Sequence, residues 1–293
     1  IRDRYGRSEL NPHSDIDFML LHSGTTPSVT RIFNHELIEK ITGPGGLIYT
    51  LYDLGMKVGY SVRNIQDAIN VANDDMQTKT SLIESRLISG DAGLFEQFQK
   101  RVEVKCVRSH IDDYLQMRIT DQDARRVKFG NSALLQAPNL KNGCGGLRDY
   151  QNLLWMTHFK YGTRTLAELE AQEMIRPNNR AQLEEGYGFL LRVRNELHYQ
   201  TKRPSDDLHK ALQPKVAWQL GYKDRSPARR LEAFMRDLYM HMRRIHLITR
   251  MVERRLALRP KPSRRIPSLR SLFGGGEKQE TLDGYQVIEG ELV

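Results

Sequence analysis

Cysteine is scarce in this 293-residue chain, and long apolar runs are missing from it. The two cysteines, Cys106 and Cys144, are too few for a disulfide framework or a thiolate metal cluster, which fits a reducing cytoplasm. No stretch of about 18 apolar residues occurs, so no membrane-spanning helix is expected. The first nine residues are charged and lack the apolar core of a signal peptide, so export is not expected. Together these absences favour a globular, cytoplasmic protein.

The charge balance is basic, because 45 Lys and Arg residues outnumber 36 Asp and Glu residues and give a net charge of +9. Such a surplus favours anionic partners such as nucleotides or acidic proteins, and it is equally compatible with a solvated basic surface. Many basic residues fall between 225 and 259 among helix-spaced apolar residues, which predicts charged helix faces. Nucleic-acid binding is not expected, since aromatic residues are not interleaved with the basic ones as a stacking groove requires.

Hydrophobic periodicity divides the chain into two parts and a tail. In the first part a loop at 11–14 leads into a short apolar strand, residues 56–62 form a second strand candidate, and helical spacing appears at 29–42, 65–73 and 76–101. From about residue 110 the pattern is helical, with breaks at Gly or Pro. The helical segments are 110–128, 147–161, 166–172, 180–203, 208–220 and 227–257.

These patterns predict an α/β domain with a mixed sheet at 1–105, followed by an all-α domain at 106–258. After residue 258, Pro- and Gly-containing segments predict a linker. Apolar residues beyond 281 predict a short terminal hairpin, so 259–293 is interpreted as a linker with a short extended segment. We find no internal repeat and no low-complexity tract in the sequence.

The most informative segment is Tyr5–Asp17, in which two carboxylates follow a Gly-containing turn. Strand alternation places Asp15 and Asp17 on one face and Ile16 on the other, toward the core. Two carboxylates so placed can share Mg²⁺ or Mn²⁺, since Mg²⁺ takes oxygen ligands and completes its shell with water and phosphates. The backbone N–H groups of the turn around Gly6, Arg7 and Ser8 can cradle a phosphate. This logic suits metal-dependent nucleotidyl transfer, although an isolated pair of this kind is more often a solvated surface feature.

At this point the segment resembles the nucleotidyltransferase superfamily that includes DNA polymerase β, and most specifically the bacterial PII uridylyltransferases. The matching residues are Tyr5, Gly6, Arg7, Glu9, Leu10, Pro12, Ser14, Asp15, Ile16 and Asp17. Four later segments resemble motifs of the same family in the same order: 51–63, 80–91, 138–149 and 191–198. The likeness covers about residues 4–258.

The resemblance implies a fold and an activity. The fold would be a polymerase-β-like nucleotidyltransferase domain with a helical domain, and the reaction would transfer UMP from UTP to a tyrosine of the PII signal protein. Asp15 and Asp17 would be the catalytic metal ligands. The nucleotide triphosphate would contact Gly6, Arg7, Ser8 and Ser14 in the first motif, and Lys141 and Arg148 in the basic, Gly-rich loop near 138–149.

The sequence also departs from the family pattern. Asp3 and Arg4 stand where the family has paired glycines, Ser8 replaces a third glycine, and Cys144 replaces a proline. A side chain at the first two positions would hinder close approach of a triphosphate to the backbone. We therefore expect impaired transfer in the chain as written, and we interpret it as a fragment or a product with an altered start. The sequence has no His-Asp dipeptide and ends before the family's phosphohydrolase and glutamine-sensing ACT domains, so uridylyl removal and glutamine sensing are not expected of it.

Several alternatives stay open from the sequence. A non-catalytic binding module of the same fold, or an adenylyl-type transferase, would retain the same loop. The loop contacts the phosphates and the metal and therefore does not select the base. Asp53 is a weak candidate for a third carboxylate, and Arg63 at the end of the second strand could reach a phosphate. The helical histidines His198, His209, His241 and His246 are interpreted as structural, and Cys144 is not expected to be a nucleophile.

Overall fold

The computed structural model describes residues 9–24, 40–41 and 43–258, and the backbone of 281–282, 285–288 and 291–292. It is mostly helical, with a small parallel sheet near the start of the chain. Within the described residues, no helix is both long and apolar enough to cross a membrane. The helix predicted at 29–42 falls outside the described residues except at 40–41, which are helical.

The parallel sheet consists of β1 (Ile16–His22) and β2 (Val58–Asn64), with α1 (Leu47–Asp53) between them in the chain. The register pairs Asp17 with Gly59. Met19 and Leu21 pack against the helices that follow β2. Because side chains alternate along a strand, these helices cover the face that carries Asp17, whereas Ile16 lies on the other face and is only half-buried. The sequence prediction that Ile16 points toward the core is not confirmed by the described residues, because their apolar cluster lies on the face of Met19 and Leu21.

Three helices cover that face of the sheet: α2 (Ile65–Asp74), α3 (Met76–Ile83) and α4 (Ala92–Val102). Each has an N-cap side chain that accepts backbone N–H bonds, namely Asn64, Asp75 and Asp91. Such caps satisfy donors that lack a partner within the helix. A π-helical turn at Glu103–Val107 continues α4.

Six further helices make up the rest of the described fold. They are α5 (Ile111–Phe129), α6 (Leu147–Tyr161), α7 (Leu166–Ala171), α8 (Pro177–Thr201), α9 (Gln213–Gln219) and α10 (Pro227–Leu258). The long helices α8 and α10 pack along each other and against α6. Near the end of the chain, β3 (Thr281–Leu282), β4 (Tyr285–Ile288) and β5 (Glu291–Leu292) pair antiparallel.

Three clusters of buried apolar residues hold these elements together. The largest cluster contains residues from all the helices α5 through α10, and a smaller cluster lies between the sheet and helices α2 to α4. A third cluster connects the two: Tyr114, Trp155 and Phe159 pack with Met76 and Ile83 of α3. The two parts of the chain are thus in direct apolar contact through α3.

The helices match the periodicity closely, with two clear differences. The helix predicted at 208–220 is confined to Gln213–Gln219. The continuous helix predicted at 76–101 is two helices, α3 and α4, separated by an irregular segment at 84–91. Gly90 adopts a positive φ of 119°, and the Asp91 carboxylate accepts from the N–H groups of Gly93 and Leu94. A cap of this kind begins a new helix rather than continuing the old one, and apolar spacing alone does not reveal it.

Candidate functional site

Asp15 and Asp17 lie at the beginning of β1. Asp17 is the second residue of the strand and is half-buried, and Asp15 is exposed one residue before the strand. A hydrogen bond of 2.8 Å from the Ile16 N–H to the Lys57 carbonyl fixes the backbone between the two carboxylates. Asp17 is therefore in the strand and Asp15 directly precedes it, and their placement on one strand face stays a prediction.

Asp17 lines a cavity of about 240 Å³ between the sheet and α3. The wall formed by β2 includes Gly59, Ser61 and Arg63, and the wall formed by α3 includes Gln77 and Ser81. This first cavity thus contains one carboxylate and one guanidinium group, a combination suited to a cation and a phosphate. Arg63, which the sequence suggested only as a candidate, shares the wall with Asp17. Asp53 is exposed at the end of α1.

Gly59 keeps space for the Asp17 side chain. A Cβ built on Gly59 would lie 2.1 Å from Asp17 Oδ1, a distance that real Cβ atoms do not tolerate. The parallel register places these two residues opposite each other. Any larger residue at 59 would therefore displace the carboxylate.

A second cavity of about 170 Å³ lies on another side of α3 and shares Gln77 and Ser81 with the first. Its remaining walls come from α3, α5, α6 and the loop before α6. The residues are Thr80, Glu84, Arg118, Asp121, Arg125, Asn142, Arg148 and Trp155. Two of the motif segments recognised in the sequence, 80–91 and 138–149, meet at this cavity.

The loop at 138–146 is held tightly against the helices. Asn139 accepts the N–H groups of residues 141 and 142 through its side chain, and the N–H of Gly145 donates to Asp149 Oδ2 at 2.9 Å. Gly145 has a φ of 71° and lies so close to the Met242 carbonyl that a Cβ would be 1.9 Å from its oxygen. Only glycine fits this position.

The two predicted nucleotide contacts of the segment 138–149, Lys141 and Arg148, differ in their position relative to the second cavity. Arg148 lines the second cavity, with its guanidinium 5.1 Å from the Trp155 ring. Lys141 is half-buried and precedes Asn142, another residue of that cavity, while its carbonyl accepts the Arg148 N–H at 2.8 Å. Ser14 donates its N–H to the Asn11 carbonyl at 3.1 Å in the turn before β1. Gly6, Arg7 and Ser8 lie outside the described residues.

The turn before the carboxylates is anchored on α8, a link that the sequence did not reveal. Tyr187 donates to Glu9 Oε2 at 2.6 Å, and Arg194 donates to Asn11 Oδ1 at 2.5 Å. Arg194 also pairs with Asp206 at 2.5 Å, and Asn11 donates to the side chain of Asn195. We call this set of contacts between residues 9–11 and α8 the clamp. The motif segment 191–198 thus lies on the helix that holds this turn.

Next to the clamp, His198 is fully buried and its ring lies 6.2 Å from that of His13. Burial, reinforced by the charge of Arg194, lowers the pKa of His198 to about 4. The ring is therefore neutral at physiological pH, in agreement with its interpretation as structural.

Cys144, Asp149 and His246 form a compact group behind the loop, with candidate ligand atoms within 4.8 Å of one another. The Cys144 sulfur lies 3.1 Å from His246 Nδ1. Burial raises the pKa of the thiol to about 11, so it stays protonated and is not an activated nucleophile. Asp149 is already held by the Gly145 N–H and by Arg125 and Arg126. The group is explained as a hydrogen-bonded structural contact, which fits the expectation that Cys144 is not catalytic.

The described fold, a small parallel sheet followed by helices, is consistent with a nucleotidyltransferase-like part joined to a helical part. Comparison with known proteins adds the family. Residues 113–253 match the family model described as GlnD PII-uridylyltransferase. The similarity to bacterial PII uridylyltransferases that was read from the motifs is thus confirmed.

The individual relatives carry one name, bifunctional uridylyltransferase/uridylyl-removing enzyme. The chain is 31% identical over 246 residues to the protein of Rhodospirillum rubrum, covering 84% of this chain and 25% of that protein. It is 30% identical over 289 residues to that of Azospirillum brasilense, covering 98% of this chain and 29% of that protein. It is 31% identical over 289 residues to that of Erythrobacter litoralis, covering 98% of this chain and 30% of that protein. The chain thus spans less than a third of the length of these relatives.

Proposed function

We propose that this chain is the nucleotidyltransferase part of a PII uridylyltransferase, and that it transfers UMP from UTP to a tyrosine hydroxyl of PII. The observation that carries the proposal is the first cavity, where Asp17 and Arg63 face the same space beside the exposed Asp15. The names of the matching family and relatives support the uridylyl group and the PII acceptor.

The carboxylates suit the metal that such a reaction needs. Asp15 and Asp17 offer hard oxygen ligands, which Mg²⁺ and Mn²⁺ prefer, and Gly59 leaves the Asp17 carboxylate room at the cavity wall. When bound, the ion would neutralise phosphate charge and orient the α-phosphate for attack. The chain's own residues would then position the reactants, with Arg63 balancing further phosphate charge.

The reaction is an in-line exchange at the α-phosphorus. The bond from the tyrosine oxygen to phosphorus forms, the bond to pyrophosphate breaks, and the phenolic proton passes to solvent water. In this proposal the turn before β1 contacts the triphosphate through Gly6, Arg7, Ser8 and Ser14. Lys141, in the loop before α6, and Arg148, in the first turn of α6, contact the nucleotide. The domain division at 1–105 and 106–258 remains part of the proposal.

The test replaces one carboxylate and leaves the core unchanged. Asp17→Asn should abolish Mn²⁺-dependent UTP binding, measured by isothermal titration calorimetry with Mn²⁺ and again with EDTA. The matched control is Asp74→Asn, which removes one exposed carboxylate at the end of α2 and should bind UTP as the parent does. Equal affinity of the parent for UTP with and without metal would contradict the metal site.

A second experiment separates an enzyme from a non-catalytic binding module. In the sequence, Asp3 and Arg4 replace the glycines of the phosphate turn, and two unit charges 4 Å apart at an effective dielectric of about 20 interact by about 4 kcal/mol. Transfer of radiolabelled UMP to PII should therefore be slow in the chain as written and at least about a hundredfold faster in Asp3→Gly/Arg4→Gly. UTP binding without transfer in both chains would favour the binding module.

A further inference from the structure

The second cavity has a different chemical character from the first. Its wall carries three guanidinium groups, those of Arg118, Arg125 and Arg148, and two carboxylates, Glu84 and Asp121. It lies across α3 from the Asp17 cavity, with which it shares Gln77 and Ser81. Its volume of about 170 Å³ suits a small polyatomic ion or one end of a larger ligand.

Arg118 is the most deeply placed of the three arginines, with only 4% of its surface exposed. Its hydrogen bonds go to two hydroxyl groups: Nε donates to the Tyr114 hydroxyl at 3.0 Å, and Nη2 donates to Thr80. Its guanidinium lies 4.4 Å from the centre of the Trp155 ring. Both hydrogen-bond partners are neutral hydroxyl groups, so these bonds do not neutralise the buried charge.

Arg125 adds a donor that the described protein does not satisfy. Its Nε and Nη2 approach Asp121 and Asp149 at 3.4 and 3.5 Å, long distances for charged hydrogen bonds. Its Nη1 is buried and has no hydrogen-bond partner within the described residues. Buried polar groups are almost always paired, so this guanidinium nitrogen beside the cavity needs a partner that the described residues do not supply, and a bound anion would provide one.

The acidic residues in the wall do not cancel this positive character. Glu84 already accepts the Trp155 indole N–H at 2.5 Å, and Asp121 faces Arg125. Arg148 lies 5.1 Å from the same Trp155 ring. Trp155 is therefore flanked by two cations, and the cavity between α3, α5 and α6 presents forked N–H donors.

We propose that this cavity is an oxyanion site, in which Arg118, Arg125 and Arg148 bind a phosphate group without a metal ion. Guanidinium groups bind phosphate through paired N–H donors, which is the geometry these side chains offer. The ligand is a phosphate-bearing molecule, either free pyrophosphate or the phosphate chain of a nucleotide. The proposal does not depend on catalysis at Asp15 and Asp17.

The experiment measures anion binding by the whole chain in EDTA, with inorganic pyrophosphate and UTP as separate calorimetric probes. We expect Arg148→Gln and Arg118→Lys to weaken binding at least about tenfold, because the first removes a charge and the second removes the planar fork. Arg236→Gln, on the exposed side of α10, is the matched control and should leave affinity unchanged. Circular dichroism and thermal unfolding check that each variant is folded, and Arg148→Gln keeps the test valid if Arg118→Lys fails to fold.

The two probes distinguish free pyrophosphate from nucleotide phosphates as the ligand, and the Asp17→Asn variant distinguishes the oxyanion site from the metal site. Binding of pyrophosphate as tightly as UTP supports a site for the free anion, whereas binding of UTP alone supports a site for nucleotide phosphates. Asp17→Asn should leave metal-free anion binding intact while abolishing the Mn²⁺-dependent part, so each proposal can fail alone. The oxyanion site is overturned if the parent binds neither probe in EDTA, or if both arginine variants bind as the parent does.

Discussion

Gly59 is the residue whose replacement most directly probes the carboxylate site. A Cβ at this position would lie 2.1 Å from Asp17 Oδ1, and only the end of a rotatable side chain would have to move. We therefore expect Gly59→Ala to cost little stability but to weaken Mn²⁺-dependent UTP binding at least about tenfold, because the carboxylate leaves its position.

The control for Gly59→Ala is Gly188→Ala in α8. No heavy atom lies within 4 Å of a Cβ built there, apart from neighbours in the chain and helix. Alanine in a helix interior stabilises by up to about 1 kcal/mol relative to glycine, so this variant should unfold at the same or a higher temperature and bind UTP normally. Normal UTP binding by Gly59→Ala would show that the Asp17 position is not critical.

Glu253 on α10 gives a prediction about pH. Burial raises its pKa from 4.5 to about 7, against the opposing effects of Gln122 and Arg126. Below pH 4.5 the carboxyl is neutral in both the folded and the unfolded protein, so its contribution to stability is fully present. As the pH rises to about 7, the unfolded chain ionises first and that contribution is lost.

The variant Glu253→Gln stays neutral at every pH and should therefore not lose this contribution. A shift of one pKa unit corresponds to about 1.4 kcal/mol. The free energy of unfolding of the variant should therefore rise relative to that of the parent by up to about 3 kcal/mol between pH 4.5 and 7, and should rise no further above pH 7. Urea unfolding at pH 5 and pH 8 measures this difference. A constant difference between the two proteins across that range would disprove the shifted pKa.

At the residue scale, the sequence predicted what depends on local spacing. The apolar run that follows the turn was enough to predict the strand β1, because strand patterning is local. The arginines of the second cavity were not predicted, apart from Arg148. Arg118 looks like an ordinary helix-surface residue in the sequence, and only the packing of α5 against α3 and α6 buries it.

Among the elements, α8 matters because the clamp attaches it to the turn before the carboxylates. Arg194 lies 183 positions from Asn11 in sequence, yet its Nη1 donates to the Asn11 side chain. Lysine keeps the charge but cannot bridge Asn11 and Asp206 with a planar fork. We expect Arg194→Lys to leave the helices folded and to weaken Mn²⁺-dependent UTP binding several-fold.

Arg192→Lys is the matched control on the same helix and in the same motif, because Arg192 is exposed. It should behave as the parent in both metal-dependent binding and thermal unfolding. If Arg194→Lys lowered the unfolding temperature but left UTP affinity unchanged, the clamp would be structural only, and Arg194 would not be a positioning residue.

The elements also show where periodicity is sufficient. The helix predicted at 147–161 has those ends in the structure, because Gly146 precedes it and Gly162 ends it with a left-handed φ of 73°. The segment 76–101 was predicted as one helix because its apolar spacing continues. The side-chain cap of Asp91 and the positive φ of Gly90 divide it, and both depend on local hydrogen bonding that hydrophobic spacing does not record.

For the whole molecule, the question is whether the two parts fold independently. Cys106 packs in the cluster beneath the sheet, and its neighbour Val107 packs in the cluster that joins α3 to α5 and α6. The predicted boundary at residue 105 therefore adjoins buried residues rather than an exposed linker. The clamp and the bond from Trp155 to Glu84 connect the same two parts.

These contacts predict a single cooperative unfolding transition. The chain has two tryptophans, and Trp155 is buried at the junction whereas Trp218 is 45% exposed. In the variant Trp218→Phe, Trp155 fluorescence reports the junction alone and far-ultraviolet circular dichroism reports all helices. Because separating the parts would expose the buried Arg118 and the joining apolar cluster, the two signals should change at the same urea concentration. Loss of the fluorescence signal at a lower concentration than the helical signal would show instead that the parts separate before either unfolds.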